Sequence, residues 1–393
     1  VTVGSIKTKV TARLTKQFQP GAFRFETLAE GMSGTANGLP LAGRTVAAEV
    51  VSSFSGTAMT LDKAEFKEIL NGTLEAHLQA SGTLNPEPLA VDLKLNAELP
   101  GPGLLNLVGG MVGDYKFGQT SLRYQGQAQL SNTQAGIKGN LAINRFTVAS
   151  EKLGVAALRP MSITSDHDLT VMISSERVLA RQLALAVHDG ERDILTVTLA
   201  APLDLKLADL TAASDTSLQI VAKEFDLTML KPLLPAAQRD LLQGGTYSSD
   251  LTLSLGEGGK LMTLAGQLGL DQLKLQLPAS AATADKPAVA AMNLPTLRLR
   301  QALKLVIREA RTAELSGFTT ELQTLDGNKT TSLLAAELAG RLTLPADQTA
   351  TQAASVLGGD LTVKVMADGQ ALGGVAGPLM GGDLDLGKTA LAY

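Results

Sequence analysis

The chain has 393 residues and a formal net charge of −4; 45% of its residues are hydrophobic but only 3% are aromatic, and it has neither tryptophan nor cysteine. The missing cysteine excludes disulfides, thiol chemistry and cysteine-bound metal, and a mildly acidic chain with no Lys/Arg cluster lacks the footprint of a nucleic-acid binder. So few aromatics argue against sugar-stacking and base-stacking surfaces, and a length beyond that of one usual core predicts a chain that divides or elongates.

The dominant signal is alternation of apolar and polar residues, which gives a strand one greasy and one wet face. It opens with Val3, Ile6, Val10, Ala12 and Leu14 and recurs at 47–53. Residues 62–70 read instead as an amphipathic helix with Phe66, Ile69 and Leu70 on one face. Strand runs follow at 74–83, 89–99, 121–130, 139–148, 169–173, 183–188, 195–207 and 217–222. A second helix, interrupted by Pro232 and Pro235, is expected over 227–242. Strands resume at 250–255, 264–277, 297–307, 332–344 and 360–366.

Turn signals separate these runs at Asn37-Gly38, Asn71-Gly72, Asp189-Gly190, Gly256 to Gly259, Asp326-Gly327 and Asp368-Gly369, and short turns between strands predict antiparallel meanders. Pro202 inside the alternation of 195–207 predicts an edge position or a break. Leu268 and Leu270 keep one phase and Leu273, Leu275 and Leu277 the other, which predicts a bulge or tight turn near Asp271-Gln272. The expected fold class is mostly β: an elongated, curved antiparallel sheet, a repeating β-groove, with a few short helices. Its expected parts are an N-terminal module over 1–150, a middle repeat over 151–278, a flexible alanine-rich loop over 279–291 and a C-terminal module over 292–393. Segment 118–148 can be laid without gaps on 245–275 at an offset of 127 residues, with Gly139 on Gly266, and 183–205 echoes 318–344. Repetition on this scale suggests stacked modules.

Reactive chemistry is sparse. His77, His167 and His188 stand apart from one another. Asp166-His167-Asp168 has metal-ligand residue types, but ligands must converge from separate elements, so a solvated loop is the better reading. No H-E-x-x-H, P-loop or G-x-S-x-G occurs. Gly373-Gly374 and Gly381-Gly382 read as a flexible cap or turn, Glu65 and Glu68 as two acids on one helix face, and Asp383 and Asp385 as acids on a wet strand face. The reading is therefore of a chain without catalytic residues, metal ligands or a cofactor.

What remains is the apolar face. A wide aliphatic face needs a cover, and helices are too few to supply it. The functional reading is a groove that holds acyl chains, each buried methylene contributing about 0.8 kcal/mol. Its expected lining is Val91, Leu93, Leu95, Leu251, Leu253, Leu255, Leu270, Leu361, Val363 and Val365. The alternative is a structural or adhesive β-solenoid or sandwich whose apolar face is wholly internal.

The run Phe225-Asp226-Leu227-Thr228-Met229-Leu230-Lys231-Pro232-Leu233-Leu234-Pro235 is followed by Gly244-Gly245, Leu251-Thr252-Leu253-Ser254-Leu255 and Leu264-Ala265-Gly266-Gln267-Leu268-Gly269-Leu270. A related phrase has Gly317-Phe318, Gly327, Leu338-Ala339-Gly340 and Leu342-Thr343-Leu344. Together they resemble the repeating phrase of AsmA-like proteins, relatives of TamB, well over 160–393 and in texture only before it. The resemblance implies a non-enzymatic β-groove in the periplasm of a Gram-negative bacterium, tethered to the inner membrane and involved in phospholipid movement and outer-membrane biogenesis. It implies phospholipid or another acyl lipid as ligand, envelope-assembly proteins as partners, and no nucleic acid. The family's N-terminal transmembrane helix is missing, so a chain that opens on Val1 reads as a piece of a longer protein with its membrane segment upstream.

Overall fold

Alternation organises most of the described residues into strands. The structure, a computed structural model, describes residues 2–17, 20–36, 39–112, 114–151, 158–235, 238–277, 291–309, 311–327, 329–343, 358–380 and 388–392. It divides into two units, Val1–Arg192 with Asp204–Ala208 and Asp193–Leu203 with Asp209–Tyr393.

In the first unit a meander of long strands runs through β1 (Ser5–Leu14), β2 (Pro20–Glu30), β3 (Arg44–Ser55), β4 (Ala58–Leu70), β5 (Thr73–Pro86), β6 (Leu89–Leu99), β7 (Ser121–Ser131), β8 (Gln134–Phe146), β9 (Met161–Met172) and β10 (Arg177–Asp189). Each is antiparallel to the next. The second unit repeats the plan with β11 (Arg192–Leu199), β12 (Thr216–Asp226), β13 (Leu242–Gly256), β14 (Leu261–Leu277), β15 (Thr296–Arg308), β16 (Thr312–Asp326), β17 (Lys329–Thr343), β18 (Gly358–Asp368) and β19 (Lys388–Ala392). These too pair antiparallel in chain order.

Local chemistry explains the connections. Asn71 and Gly72 turn from β4 to β5 with φ of 51° and 83°, both left-handed, the geometry that a tight hairpin favours and that Asn-Gly supplies at little cost. Pro202 does break the alternation of 195–207, since β11 stops at Leu199 and a separate short strand covers Leu203–Lys206. The bulge is also where the phase change put it: Gln272 has φ 51° and the register of the β14–β15 ladder slips between Leu270 and Leu273. The extra residue keeps Leu268, Leu270 and Leu273 on one face despite their odd spacing. Arg145 (φ 50°, slip between Ile143 and Phe146) and Glu224 (φ 46°, slip between Ala222 and Phe225) form equivalent bulges. Arg145 and Gln272 are separated by the 127-residue offset of the sequence echo. The echo nevertheless slips by two residues across the hairpin turn, because Gly139 pairs with Gly126 whereas Gly266 pairs with Leu251 rather than Leu253.

Several expectations are corrected. Residues 62–70 belong to strand β4, not to a helix. Phe66 and Leu70 share a face, while Ile69 lies opposite Thr45 on the other, so apolar residues on both faces imitated helical spacing. Of the helix expected over 227–242, Leu227–Leu233 forms a 3-10 segment capped by Asp226 Oδ1 accepting from the Thr228 N–H at 2.9 Å, Gln238 is again 3-10, and 236–237 lie outside the described residues. Leu242 already opens β13, and Pro235 cannot donate the backbone bond that would prolong the helix. Two helices were not anticipated, α1 (Gly103–Val112) and α2 (Gly369–Met380). Asp368-Gly369 is accordingly a helix start and not a hairpin turn: Asp368 Oδ1 accepts from the Ala371 N–H at 3.0 Å. Gly373-Gly374 lies within α2 rather than in a turn. The Asn37-Gly38 turn, the acids Asp383 and Asp385, Gly381-Gly382 and, but for Ala291, the loop 279–291 lie outside the described residues.

The wet face of the first unit carries an ion ladder. Glu49 takes Arg24 and Lys63 at 2.8 Å each, and Glu65 takes Lys63 at 2.8 Å, Lys67 at 2.9 Å and His77 Nε2 at 2.7 Å. Hydrogen bonds from Lys63 first, then Lys67, His77 and Gln79, hold the Glu65 carboxyl far below the usual carboxylate range. Glu49 is lowered in the same sense, chiefly by Lys63. A carboxyl with a folded pKa below its unfolded value stabilises the fold above the unfolded value and loses that contribution as pH falls through the folded one. The urea midpoint is therefore expected to hold steady from neutral pH down to about pH 5 and to fall below about pH 4.5. Glu65→Gln should lower the midpoint at neutral pH and flatten the acid decline; an unchanged decline would show that Glu65 is not among its causes.

Candidate functional site

Residues facing each other in an antiparallel ladder put their side chains on the same face, so register converts the alternation of single strands into continuous rows. In the first unit one row reads Phe54, Met59, Leu84, Val91, Leu130, Ala135, Val171 and Val178, from β3 to β10. Leu93 lies between Gly82 and Ala128, and Leu95 between Ala80 and Gly126, on that same face. In the second unit a row reads Leu199, Leu218, Leu253, Leu264, Leu305, Leu315, Gly340 and Leu361, from β11 to β18. Leu251 faces Gly266, Leu255 faces Met262, and Leu270 lies between Tyr247 and Leu299. Val363 continues through Leu338 to Phe318, and Val365 through Ala336 to Thr320. All ten residues expected to line a groove thus lie on the aliphatic face of their own unit.

Among the described residues that face is only partly covered. Among the described residues only eleven hydrophobic side chains are fully buried, whereas Val10, Val171 and Leu361 are 58%, 44% and 48% exposed. The other nine expected lining residues are half-buried. In the second unit α2 and the 3-10 segment Leu227–Leu233 both lie at the Leu273 end of the strands, while a second 3-10 segment, Glu257–Gly259, forms the turn at the other end. In the first, α1 packs against β5, and the Asn106 amide accepts from the Phe117 N–H at 2.6 Å and donates to its carbonyl at 3.0 Å, fixing the helix to the short strand Lys116–Phe117. In the second, Val375 of α2 packs with Leu297 and Leu333, against Leu273 and Leu322. Leu227 of the 3-10 segment reaches Gly245, where even a Cβ would come within 3.2 Å of its methyl.

Four polar features of these faces escaped the sequence reading. The Arg44 guanidinium and Glu68 carboxylate form a buried ion pair at the α1 end, 4% and 9% exposed, and Glu68 Oε2 has no hydrogen-bond partner. Glu68 faces Val46, whereas Glu65 belongs to the ladder on the opposite face, so the two acids do not share a face. His167 lies between Gly139 and Leu183 and stacks on Tyr124 at a centroid separation of 5.9 Å. Asp166 and Asp168 point to the other face, toward Asn140 and toward Lys138 and Arg181 respectively, so the trio diverges and cannot close on one ion. The Tyr124 ring lies over Gly126 and Gly139, where any Cβ would strike its hydroxyl, and burial raises its phenol pKa. In the second unit Gln301 Nε2 donates to Thr320 Oγ1 at 3.3 Å, and Ser249 is buried between Ala222 and Leu268. Pairing partners decide these positions, and alternation alone does not reveal them.

No family model, curated protein or solved structure matches this chain. No helix among the described residues is long and apolar enough to cross a membrane. The arrangement defines a class: open antiparallel sheet with one continuous aliphatic face per unit.

Proposed function

We propose that the aliphatic faces bind acyl chains, and that this chain is a non-enzymatic lipid-binding segment of an AsmA-like envelope protein that moves phospholipid or another acyl lipid. The observation that carries the reading is the eight-strand row through Leu253 and Leu361, wholly leucine but for one glycine, half-buried along its length and exposed at Leu361. Such a row offers no directional bonding. It suits a chain of methylenes, whose burial stabilises by about 0.8 kcal/mol each wherever they lie along the strip. In the first unit, whose own aliphatic row runs from Phe54 to Val178, an ion ladder occupies the opposite face and keeps that side in water, so that unit offers lipid and solvent separate surfaces. A location in the periplasm, a membrane tether outside this chain and docking to envelope-assembly proteins follow from the family resemblance.

Native mass spectrometry of the purified chain with lipid extraction tests the reading. Adducts of phospholipid mass, released on organic extraction, are expected. A chain that remains free of lipid after incubation with phospholipid micelles would overturn it in favour of an aliphatic face that serves protein packing.

A further inference from the structure

We propose that each unit fixes an acyl lipid on its aliphatic face by hydrogen-bonding the ester linkage, at one uncharged polar rung that crosses the face in both units. The inference rests on the acyl-chain reading and goes beyond it, because a purely aliphatic strip holds methylenes equally well anywhere along its length. In the first unit the rung runs Tyr124, Leu141, Ser165 and Leu185 across β7 to β10. In the second it runs Ser249, Leu268, Gln301 and Thr320 across β13 to β16. The two rungs are equivalent: Leu141 and Leu268 are separated by the 127-residue offset, and each stands four positions before a bulge residue, Arg145 and Gln272 respectively. Tyr124 therefore stands where the second unit has Ser249, and Ser165 where it has Gln301. The side chains differ, yet both units set hydrogen-bonding groups on this rung, where the face is otherwise leucine, valine, isoleucine and alanine.

The chemistry of the rung selects the ligand group. Within these strands no Asp, Glu, Lys or Arg shares the face on this rung or on the rungs either side of it. A phosphate or carboxylate would find no counter-ion there, and covering an unpaired ion is costly. The rung instead offers neutral donors, which suit the carbonyl oxygen of an ester, a neutral acceptor placed where the acyl chain ends. In the first unit the Tyr124 hydroxyl is covered and has no hydrogen-bond partner, a state that folded proteins seldom leave unfilled. Its ring rests on Gly126 and Gly139, so no side chain beneath holds it down. It stacks on the half-buried His167 of the adjacent rung, whose contact with Ser165 Oγ is long, at 3.5 Å. An ester oxygen entering beside His167 lifts the phenol from the glycines and accepts from it. In the second unit Gln301 and Thr320 are both half-buried, and the Gln301 amide, which donates to Thr320 Oγ1 at 3.3 Å, carries a second N–H.

The test is native mass spectrometry of the full chain after incubation with an equimolar micellar mixture of a diacyl phosphatidylcholine and its dialkyl ether analogue. The two probes share headgroup and chain length and differ only in the ester carbonyls. The diacyl adduct is expected to exceed the ether adduct by about fivefold, the size of effect that one net hydrogen bond supplies. Tyr124→Phe and His167→Leu together with Gln301→Leu and Thr320→Val should bring the ratio to about one and leave total lipid undiminished, because the face has only become more apolar. Circular dichroism and a cooperative urea transition establish that this variant is folded. Should it fail to fold, Tyr124→Phe with Gln301→Leu is the milder variant, and it should lower the preference at least about twofold. Equal adducts on the unaltered chain, or a folded variant that keeps the full preference, overturn the ester site and leave acyl-chain binding standing. Absence of both adducts overturns acyl-chain binding itself, and the ester site with it.

Discussion

Leu253→Asp and Val363→Asp are each expected to lower co-purifying lipid by more than tenfold, and the neighbouring Ser254→Asp to leave it unchanged. Leu253 lies in the middle of the leucine row, with Leu218 on one side and Leu264 on the other. A carboxylate there must be covered by an acyl chain that cannot hydrogen-bond to it, at a cost of a few kcal/mol, and each 1.4 kcal/mol is a factor of about ten in affinity. Val363, beside Leu338, meets the same penalty. Ser254 is one residue from Leu253 and faces Thr263 on the opposite side of the sheet, so the same charge added there touches no lipid. All three positions are half-buried, so the chain keeps its cover elsewhere and folding is checked by circular dichroism and urea midpoint. Lipid retained by folded Leu253→Asp would place the ligand away from the aliphatic row.

The contrast between Leu253 and Ser254 was legible before any coordinates, because alternation alone assigns neighbouring residues to opposite faces. The strand Leu89–Leu99 has the bounds its sequence pattern predicts, since every residue on one side is apolar and turns flank both ends. The bulge at Gln272 was legible from the phase of its leucines. The row joining Leu253 to Leu361 was not, because it passes through five ladders whose registers are set by turns and bulges. α1 and α2 were hidden by composition: runs such as Gly103-Leu104-Leu105-Asn106-Leu107-Val108-Gly109-Gly110 contain no charge to mark a wet face and carry glycines that ordinarily signal turns. Strand β4 was misread because its apolar residues occupy both faces. The stacking of His167 on Tyr124 depends on β7, β8 and β9 lying side by side, with glycines leaving room for the rings, and no window of sequence holds that relation.

Arg44→Met is expected to cost about 3–5 kcal/mol, the range for breaking a buried ion pair by removing one partner. Arg44 is 4% exposed, donates from Nη1 to Glu68 and from Nε to the Pro40 carbonyl at 2.9 Å, and lies close to the start of α1, where a Cβ at Gly103 would be 3.0 Å from Nη1. Its loss leaves the Glu68 carboxylate on the aliphatic face with neither oxygen paired, since Oε2 already has no partner. Replacing both, Arg44→Met with Glu68→Leu, removes the stranded charge and should recover all but about 1 kcal/mol, because apolar residues of similar volume often substitute for a buried pair without loss. Urea unfolding of the two single variants and the double variant completes the cycle. A single-variant cost below about 1 kcal/mol would mean that water reaches the pair and that it resembles an exposed salt bridge. The pair also has a positional consequence that leucine could not supply. An aliphatic face allows α1 to slide along it at little cost, whereas the directional bonds from Arg44 to Glu68 and Pro40 fix the segment 40–44 beneath the helix, and the Asn106 bonds to Phe117 fix the helix itself. The double variant is therefore expected to keep its stability but to lose hydrogen-exchange protection in α1, and full retention of that protection would show that Asn106 alone holds the helix.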